Sequence, residues 1–218
     1  MTLKFRQRVA HRLKGIFVSE SPTEISSWPC SNIIPLYGKF DFGYALGPHC
    51  SYTDNKRERT PLGNLIYKFK YKYDREAGRI LSEILFDFIS QETKLKNADL
   101  LTIVPPSFVS RPFIPMRLLS ELIYQELNID FEPNLFARTK INRLQKRLRN
   151  IKAKFENIEG AFRLVHSDKV LDKKVLVLDD IYDSGATLDE VTKLLRIAGA
   201  KEIYVLVLTK TQNWGRDG

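Results

Sequence analysis

The stretch VLVLDDIYDSGATL, Val175 to Leu188, passes from four aliphatic residues directly into acids. An unbroken run such as Val175 to Leu178 suits a strand buried on both faces. Downstream, "TLDEVTKLLRIAG" has helical periodicity and a stop at Gly199, and "EIYVLVLTKT" is a second apolar strand. Strand, helix and strand joined by short loops form a βαβ unit, with parallel strands and a right-handed crossover. In such sheets ligands sit at the carboxyl ends of the strands. Asp179 and Asp180 mark one such end. Carboxylates this close repel each other, so a ligand has to answer them.

The loop that follows narrows the ligand. Gly185 permits a tight turn, small neighbours let backbone N–H groups approach, and Ser184 and Thr187 carry hydroxyls. A helix starting near Leu188 turns the positive end of its dipole toward the loop. Asp183 to Thr187 therefore read as a phosphate cradle. Asp179 and Asp180 suit a polyol or a metal-bound sugar, since ionised acids accept hydrogen bonds from hydroxyls. A phosphate beside diol acceptors describes a ribose 5-phosphate group. Asp183 or Ser184 acting as an ordinary helix cap is the competing reading, and it leaves Asp179-Asp180 unexplained. The stretch is neither GxxxxGK[ST] nor GxGxxG, so it lacks the marks of a P-loop and of a dinucleotide fold.

Working outward, "ADLLTIVPP" is a short strand ending at Pro105-Pro106, and "RLLSELIYQEL" is a helix. Gly63 to Gln91 is helical, with Ile80, Ile84, Leu85 and Phe88 on one face. Residues 21–63 are broken by prolines and glycines, with short strands around "IIPLYGKF" and "FGYAL". Residues 1–20 read as a basic amphipathic helix. Such a helix packs on the domain or touches a membrane or partner.

The chain has 218 residues, 43% hydrophobic and 28% charged, which fits one domain with an appendage or two small ones. Two cysteines cannot build a disulfide framework, so a reducing cytoplasm is expected. No apolar run approaches the roughly 20 residues of a membrane helix. A net charge of +9 favours polyanionic partners. The charge concentrates in Arg138, Lys140, Arg143, Lys146, Arg147, Arg149, Lys152 and Lys154, with no acid between 138 and 154. Read from the residues, that run is a solvated helix face or a nucleic-acid contact.

The stretch "VLVLDDIYDSGAT" resembles the phosphoribosyl-pyrophosphate (PRPP) signature of type I phosphoribosyltransferases. "GNLIYKFKYKYDREAG", "IVPPSFVSRPF" and "RTKINRLQKRLRNIKAKFENIEGAF" resemble the ComF-like (competence protein F) branch, with Gln145, Arg149-Asn150 and Gly160-Ala161-Phe162 in its basic stretch. The resemblance covers roughly residues 43–211 and implies an α/β fold of Rossmann-like type. Its twisted, mainly parallel central sheet is flanked by helices, with an N-terminal hood or extension over 1–60 and the phosphoribosyltransferase-like domain over 61–218.

The resemblance also implies a chemistry. Asp179 and Asp180 would hold the ribose hydroxyls of PRPP, partly through Mg²⁺, and Asp183, Ser184, Gly185, Ala186 and Thr187 the 5-phosphate. Asp183 is also a candidate proton-transfer group. Pro106, Ser107, Phe108, Arg138, Lys140 and Arg149 would serve the pyrophosphate, the last three from the basic stretch 138–154, which matches the position of the family's mobile lid. The implied enzyme displaces pyrophosphate from ribose C1 with an unidentified, nucleobase-like acceptor. The other function in view is a PRPP- or nucleotide-binding module with a DNA-uptake, DNA-binding or defence role. Partners left open are a nucleic acid or protein on 138–154 and a second copy of the chain. Many ComF-like proteins begin with a four-cysteine zinc module. Here only Cys30, His49 and Cys50, with distant His11, are available, and buried small residues are the preferred reading. Trp28, Tyr37, Phe40, Phe42 and Tyr44 are core residues or a stacking surface.

Overall fold

The computed structural model describes residues 33–53, 56–106, 114–139 and 150–211. The 1–20 helix, Trp28, Cys30 and His11 fall outside the described residues.

A six-stranded sheet carries the fold. Its strands, in chain order, include β1 (Ile34–Pro35), β2 (Phe42–Ala45), β5 (Leu100–Ile103), β6 (Asp130–Phe131), β9 (Lys174–Tyr182) and β10 (Glu202–Lys210). Two antiparallel pairs lie outside it: the hairpin of β3 (Cys50–Thr53) with β4 (Lys56–Arg59), and β7 (Phe136–Arg138) with the distant β8 (Phe162–Leu164). The sheet order is β1-β2-β10-β9-β5-β6. Within this sheet, among the described residues, only the β1–β2 pair is antiparallel. The mainly parallel α/β fold expected from the βαβ reading is the fold present. Residues 34–45, on the extension side of a division at residue 60, supply two of its strands.

The aliphatic strands bury both faces, as their composition demands. Along β9, Leu176 and Leu178 enter one core layer while Val175 and Val177 enter the other. β10 repeats the alternation, with Tyr204, Leu206 and Leu208 on the first face and Ile203, Val205 and Val207 on the second. Each such side chain contributes roughly 1.5–3 kcal/mol by leaving water.

The first face is covered by α1 (Pro61–Lys72), α2 (Arg75–Gln91) and α3 (Pro115–Glu121), and α4 (Tyr124–Leu127) follows α3. Thr60 caps α1 by accepting from Gly63 N at 3.0 Å, and Asp74 caps α2 by accepting from Ala77 N at 3.1 Å. The second face packs against α5 (Ile151–Ile158) and α6 (Ala186–Ile197).

Two sequence expectations need correction. "RLLSELIYQEL" is not one helix. It breaks at Leu122-Ile123 into α3 and α4, and its buried stripe (Met116, Leu119, Ser120, Ile123) does not continue into α4, which buries no residue. The helix after the acidic loop starts at Ala186 rather than near Leu188, because Gly185 turns the chain at once.

Candidate functional site

β2, β10, β9 and β5 are parallel, so their carboxyl ends share one edge of the sheet. β9 reaches this edge at Asp179 and stays extended through Tyr182. Strand alternation sends the two acids to opposite faces. Asp179 continues the Val175–Val177 side, where Arg138 acts on it. Asp180 continues the Leu176–Leu178 side and meets α1.

The two carboxyls live in different environments. Asp179 is crowded by protein and stands beside a second acid. Burial first, then the Asp180 charge, pushes its pKa up to about 8. Asp180 N donates to Asp179 Oδ1 at 2.8 Å, and this bond together with Lys70 and Arg138 opposes the rise. Asp180 is ion-paired through Oδ2 to Lys70 Nζ, a side chain only 10% exposed.

Past Tyr182 the loop turns at Gly185, whose φ of +81° is left-handed. A Cβ there would lie 2.5 Å from Tyr182 Oη. That hydroxyl donates to Tyr37 O at 3.1 Å, tying the turn to the loop before β2. α6 then begins with no side-chain cap. Ser184 Oγ meets Ala186 N only at 3.5 Å, the outer limit of a hydrogen bond. The helix-cap reading therefore does not describe this turn. The first N–H groups of α6 face the same edge as the acid pair, and that is where a phosphate is best received.

Asp183 is held from two sides. Lys154 Nζ, from α5, pairs with Oδ2, and Thr211 Oγ1 donates to Oδ1 at 3.0 Å. Thr211 N also donates to Tyr182 O at 2.9 Å. The end of β10 thus braces the loop after β9.

At the end of β5 the chain reaches Pro105-Pro106. Arg138, at the end of β7, donates from Nε to Pro106 O at 2.8 Å and from Nη2 to Pro105 O at 3.4 Å. Its guanidinium stacks 4.7 Å from the centre of the Phe162 ring. Burial lowers the Arg138 pKa, and Asp179 offsets this. Pro106 and Arg138, far apart in sequence, therefore meet beside Asp179. Ser107, Phe108, Lys140 and Arg149 fall outside the described residues.

Lys70, Lys154 and Thr211 were not singled out by the sequence reading. Lys70 left a trace: it lies four residues after Ile66 and next to Phe69, a cation on the buried stripe of "YKFKYK". Lys154 is one cation among eight between 138 and 154 and carries no distinguishing local signal. His49, weighed earlier only for metal, stands after β2 with Nδ1 3.0 Å from Thr209 Oγ1. Burial and neighbouring cations lower its pKa. Cys50 is a buried free thiol, as the preferred reading had it.

The acid pair bears on magnesium. Among the described residues no three His, Cys, Asp or Glu side chains gather around a metal site. One oxygen of Asp180 is taken by Lys70, and Asp179 is shifted toward its neutral form. A magnesium ion fits here only with oxygens supplied by a bound substrate, the usual habit of that ion beside phosphates. Nor, among the described residues, is any helix long and apolar enough to cross a membrane.

A family model described as the phosphoribosyl transferase domain matches residues 139–216, which include β9, the acidic loop, α6 and β10. Over that stretch the chain is similar to phosphoribosyltransferases, and over a longer span it resembles competence proteins of the ComF kind. Competence protein F of Haemophilus influenzae is 28% identical over 161 residues, covering 69% of this chain and 68% of that one. Competence protein ComFC of Streptococcus pneumoniae is 26% identical over 146 residues, and the match spans 60% of its length. The DNA utilization protein YhgH of Escherichia coli is 26% identical over 157 residues, covering 69% of this chain and 68% of that one. Among solved structures, glutamine PRPP amidotransferase from B. subtilis, complexed with ADP and GMP, covers 58% of this chain and 25% of its own length. It has a TM-score of 0.37 and 24% identity. Purine phosphoribosyltransferase from Pyrococcus horikoshii covers 62% and 85%, at a TM-score of 0.36 and 18% identity.

Proposed function

We propose that this chain binds PRPP and transfers its phosphoribosyl group, with magnesium, to a nucleobase-like acceptor in the cytoplasm. One observation carries the reading: an uncapped helix start, reached through the left-handed Gly185, lies directly beyond two acids at a parallel strand end. The 5-phosphate sits on the N–H groups of Gly185 to Thr187, with the hydroxyls of Ser184 and Thr187 beside it. The ribose hydroxyls face Asp179 and Asp180. Pyrophosphate leaves toward the end of β5, where Arg138 orders the Pro105-Pro106 backbone. Ser107, Phe108, Lys140 and Arg149 complete that subsite in the proposal.

In this reaction the bond from C1 to the pyrophosphate oxygen breaks and a bond from C1 to the acceptor forms. The protein's part is to hold both partners in line and to exclude water. Magnesium, when bound with the substrate, supplies charge neutralisation on the departing pyrophosphate. Asp179 carries a carboxyl whose proton is easily exchanged near neutral pH, because burial has raised its pKa to about 8.

A second reading is favoured by the state of Asp183. Pairing with Lys154 and Thr211 leaves this acid occupied rather than poised to take a proton. A binding module that senses PRPP without turnover has no need of that proton transfer. The names of the relatives, competence and DNA utilization, fit a role beside DNA for such a module.

Thermal shift with PRPP and Mg²⁺, followed by measurement of pyrophosphate release with candidate bases, separates the two. A PRPP-dependent shift with release establishes the transferase. A shift without release for every base favours the module. No shift at all refutes both.

A further inference from the structure

Lys70 is a lysine where the fold has little room for one. It sits on α1 among Leu62, Leu65, Ile66 and Phe69 and is 9% exposed. Burying an ammonium is strongly unfavourable unless it is paired and hydrogen-bonded. The partner is Asp180, across 110 residues of sequence. Only Oδ2 of that carboxylate is engaged. Oδ1 has no hydrogen-bond partner among the described residues, and the Asp180 side chain is 26% exposed. One oxygen is thus anchored to the core while the other faces the strand-end edge.

The anchor has support of its own. Thr60 caps α1 and also donates to Pro48 O at 2.7 Å, which ties the helix start to the loop after β2. That loop runs beside β10, where His49 N donates to Lys210 O at 2.8 Å. The helix carrying Lys70 is therefore fixed to the sheet edge independently of the ion pair. An ammonium on a fixed helix sets the position of the carboxylate rather than following it.

We propose that Lys70 is the resident counter-cation of the sugar subsite. It is a positioning residue: it holds Asp180 Oδ2 so that Oδ1 presents to the ribose hydroxyls, with no divalent cation needed at that carboxylate. The inference rests on reading the loop after β9 as a ribose-phosphate site. It reaches beyond that reading by separating sugar recognition, served by a lysine, from pyrophosphate recognition, served by magnesium carried on the substrate.

Ribose 5-phosphate isolates the subsite, because it has the diol and the phosphate but no pyrophosphate. 2-Deoxyribose 5-phosphate lacks one hydroxyl and reports discrimination. Binding of both is measured calorimetrically to the full chain in EDTA and again in Mg²⁺. Wild type is expected to bind ribose 5-phosphate in EDTA and to prefer it over the deoxy sugar by about tenfold, one charge-assisted hydrogen bond. Lys70→Met should abolish that preference, Lys70→Gln should reduce it severalfold, and Asp180→Asn added to Lys70→Met should change nothing more.

A structural lysine would lower the melting temperature yet leave the ribose-to-deoxyribose ratio of the folded protein unchanged, and that outcome overturns the proposal. So does wild-type binding that vanishes in EDTA and returns with Mg²⁺. If Lys70→Met does not fold, Lys70→Gln decides alone. Failure of wild type to bind either sugar phosphate under both conditions instead overturns the underlying site reading.

Discussion

Gly185 and Gly160 make a matched pair for testing the turn. Both are left-handed, at φ +81° and +63°. At Gly160 an added Cβ meets nothing within 4 Å, whereas at Gly185 it meets Tyr182 Oη at 2.5 Å and Tyr182 Cζ at 3.0 Å. Alanine at either position costs about 1–2 kcal/mol for the left-handed backbone. At Gly185 the tyrosine must also move, and its hydroxyl gives up the bond to Tyr37 O, which adds about 1 kcal/mol. Gly160→Ala is therefore expected to cost about 1–2 kcal/mol and Gly185→Ala about 2–3 kcal/mol. At roughly 2–4 °C per kcal/mol for a chain of this size, the second variant melts a few degrees below the first. Adding Tyr182→Phe to Gly185→Ala removes the closest atom and should cost less than Tyr182→Phe costs alone. The assay is thermal and urea unfolding of wild type and the four variants, each with and without PRPP and Mg²⁺. Gly160→Ala should keep the ligand-induced shift, and Gly185→Ala should lose most of it. Equal destabilisation by the two glycine variants would refute the packing argument, and a full PRPP shift in Gly185→Ala would refute the cradle.

Two further outcomes follow from the charges. Asp179 has a raised folded pKa, so the folded state holds its proton more tightly than the unfolded chain. Its contribution to stability is present at low pH and is lost as pH rises toward about 8. Asp179→Asn removes that slope, so between pH 5 and 8 urea unfolding should show it gaining at least about 1.4 kcal/mol on wild type, the equivalent of one pKa unit. A constant difference across that range would contradict the burial argument. Lys154→Met leaves the carboxylate of Asp183 with Thr211 as its remaining partner among the described residues. About 1–2 kcal/mol of stability should be lost by denaturant titration, and the loss should disappear in an Asp183→Asn background. Persistence of the loss there would mean that Lys154 acts through something other than this pair.

The hydrophobic pattern was sufficient for the central architecture. Val175–Leu178 and Ile203–Leu208 can only be strands buried on both faces, and the helical period between them requires a parallel pair. The acid pair and the glycine turn were legible for the same local reason: their chemistry is written in adjacent residues. Local reading failed where an element's end depends on its neighbours. It ran one helix through Leu122-Ile123, where the buried stripe stops.

What sequence alone determined was the β9–α6–β10 unit, the strands β1, β2 and β5, and the loop with its three acids; β6 and the pairs β3–β4 and β7–β8 were not legible in it. What only tertiary structure decided was how those acids are answered. Lys70 reaches Asp180 across 110 residues, Lys154 reaches Asp183 across 29, and Arg138 reaches Pro106 across 32. Periodicity could assign Lys70 to a helix face but could not say what lies opposite. A charge pair is a property of two surfaces brought together, and the sheet that brings them together is built by apolar residues that carry no trace of the pairing.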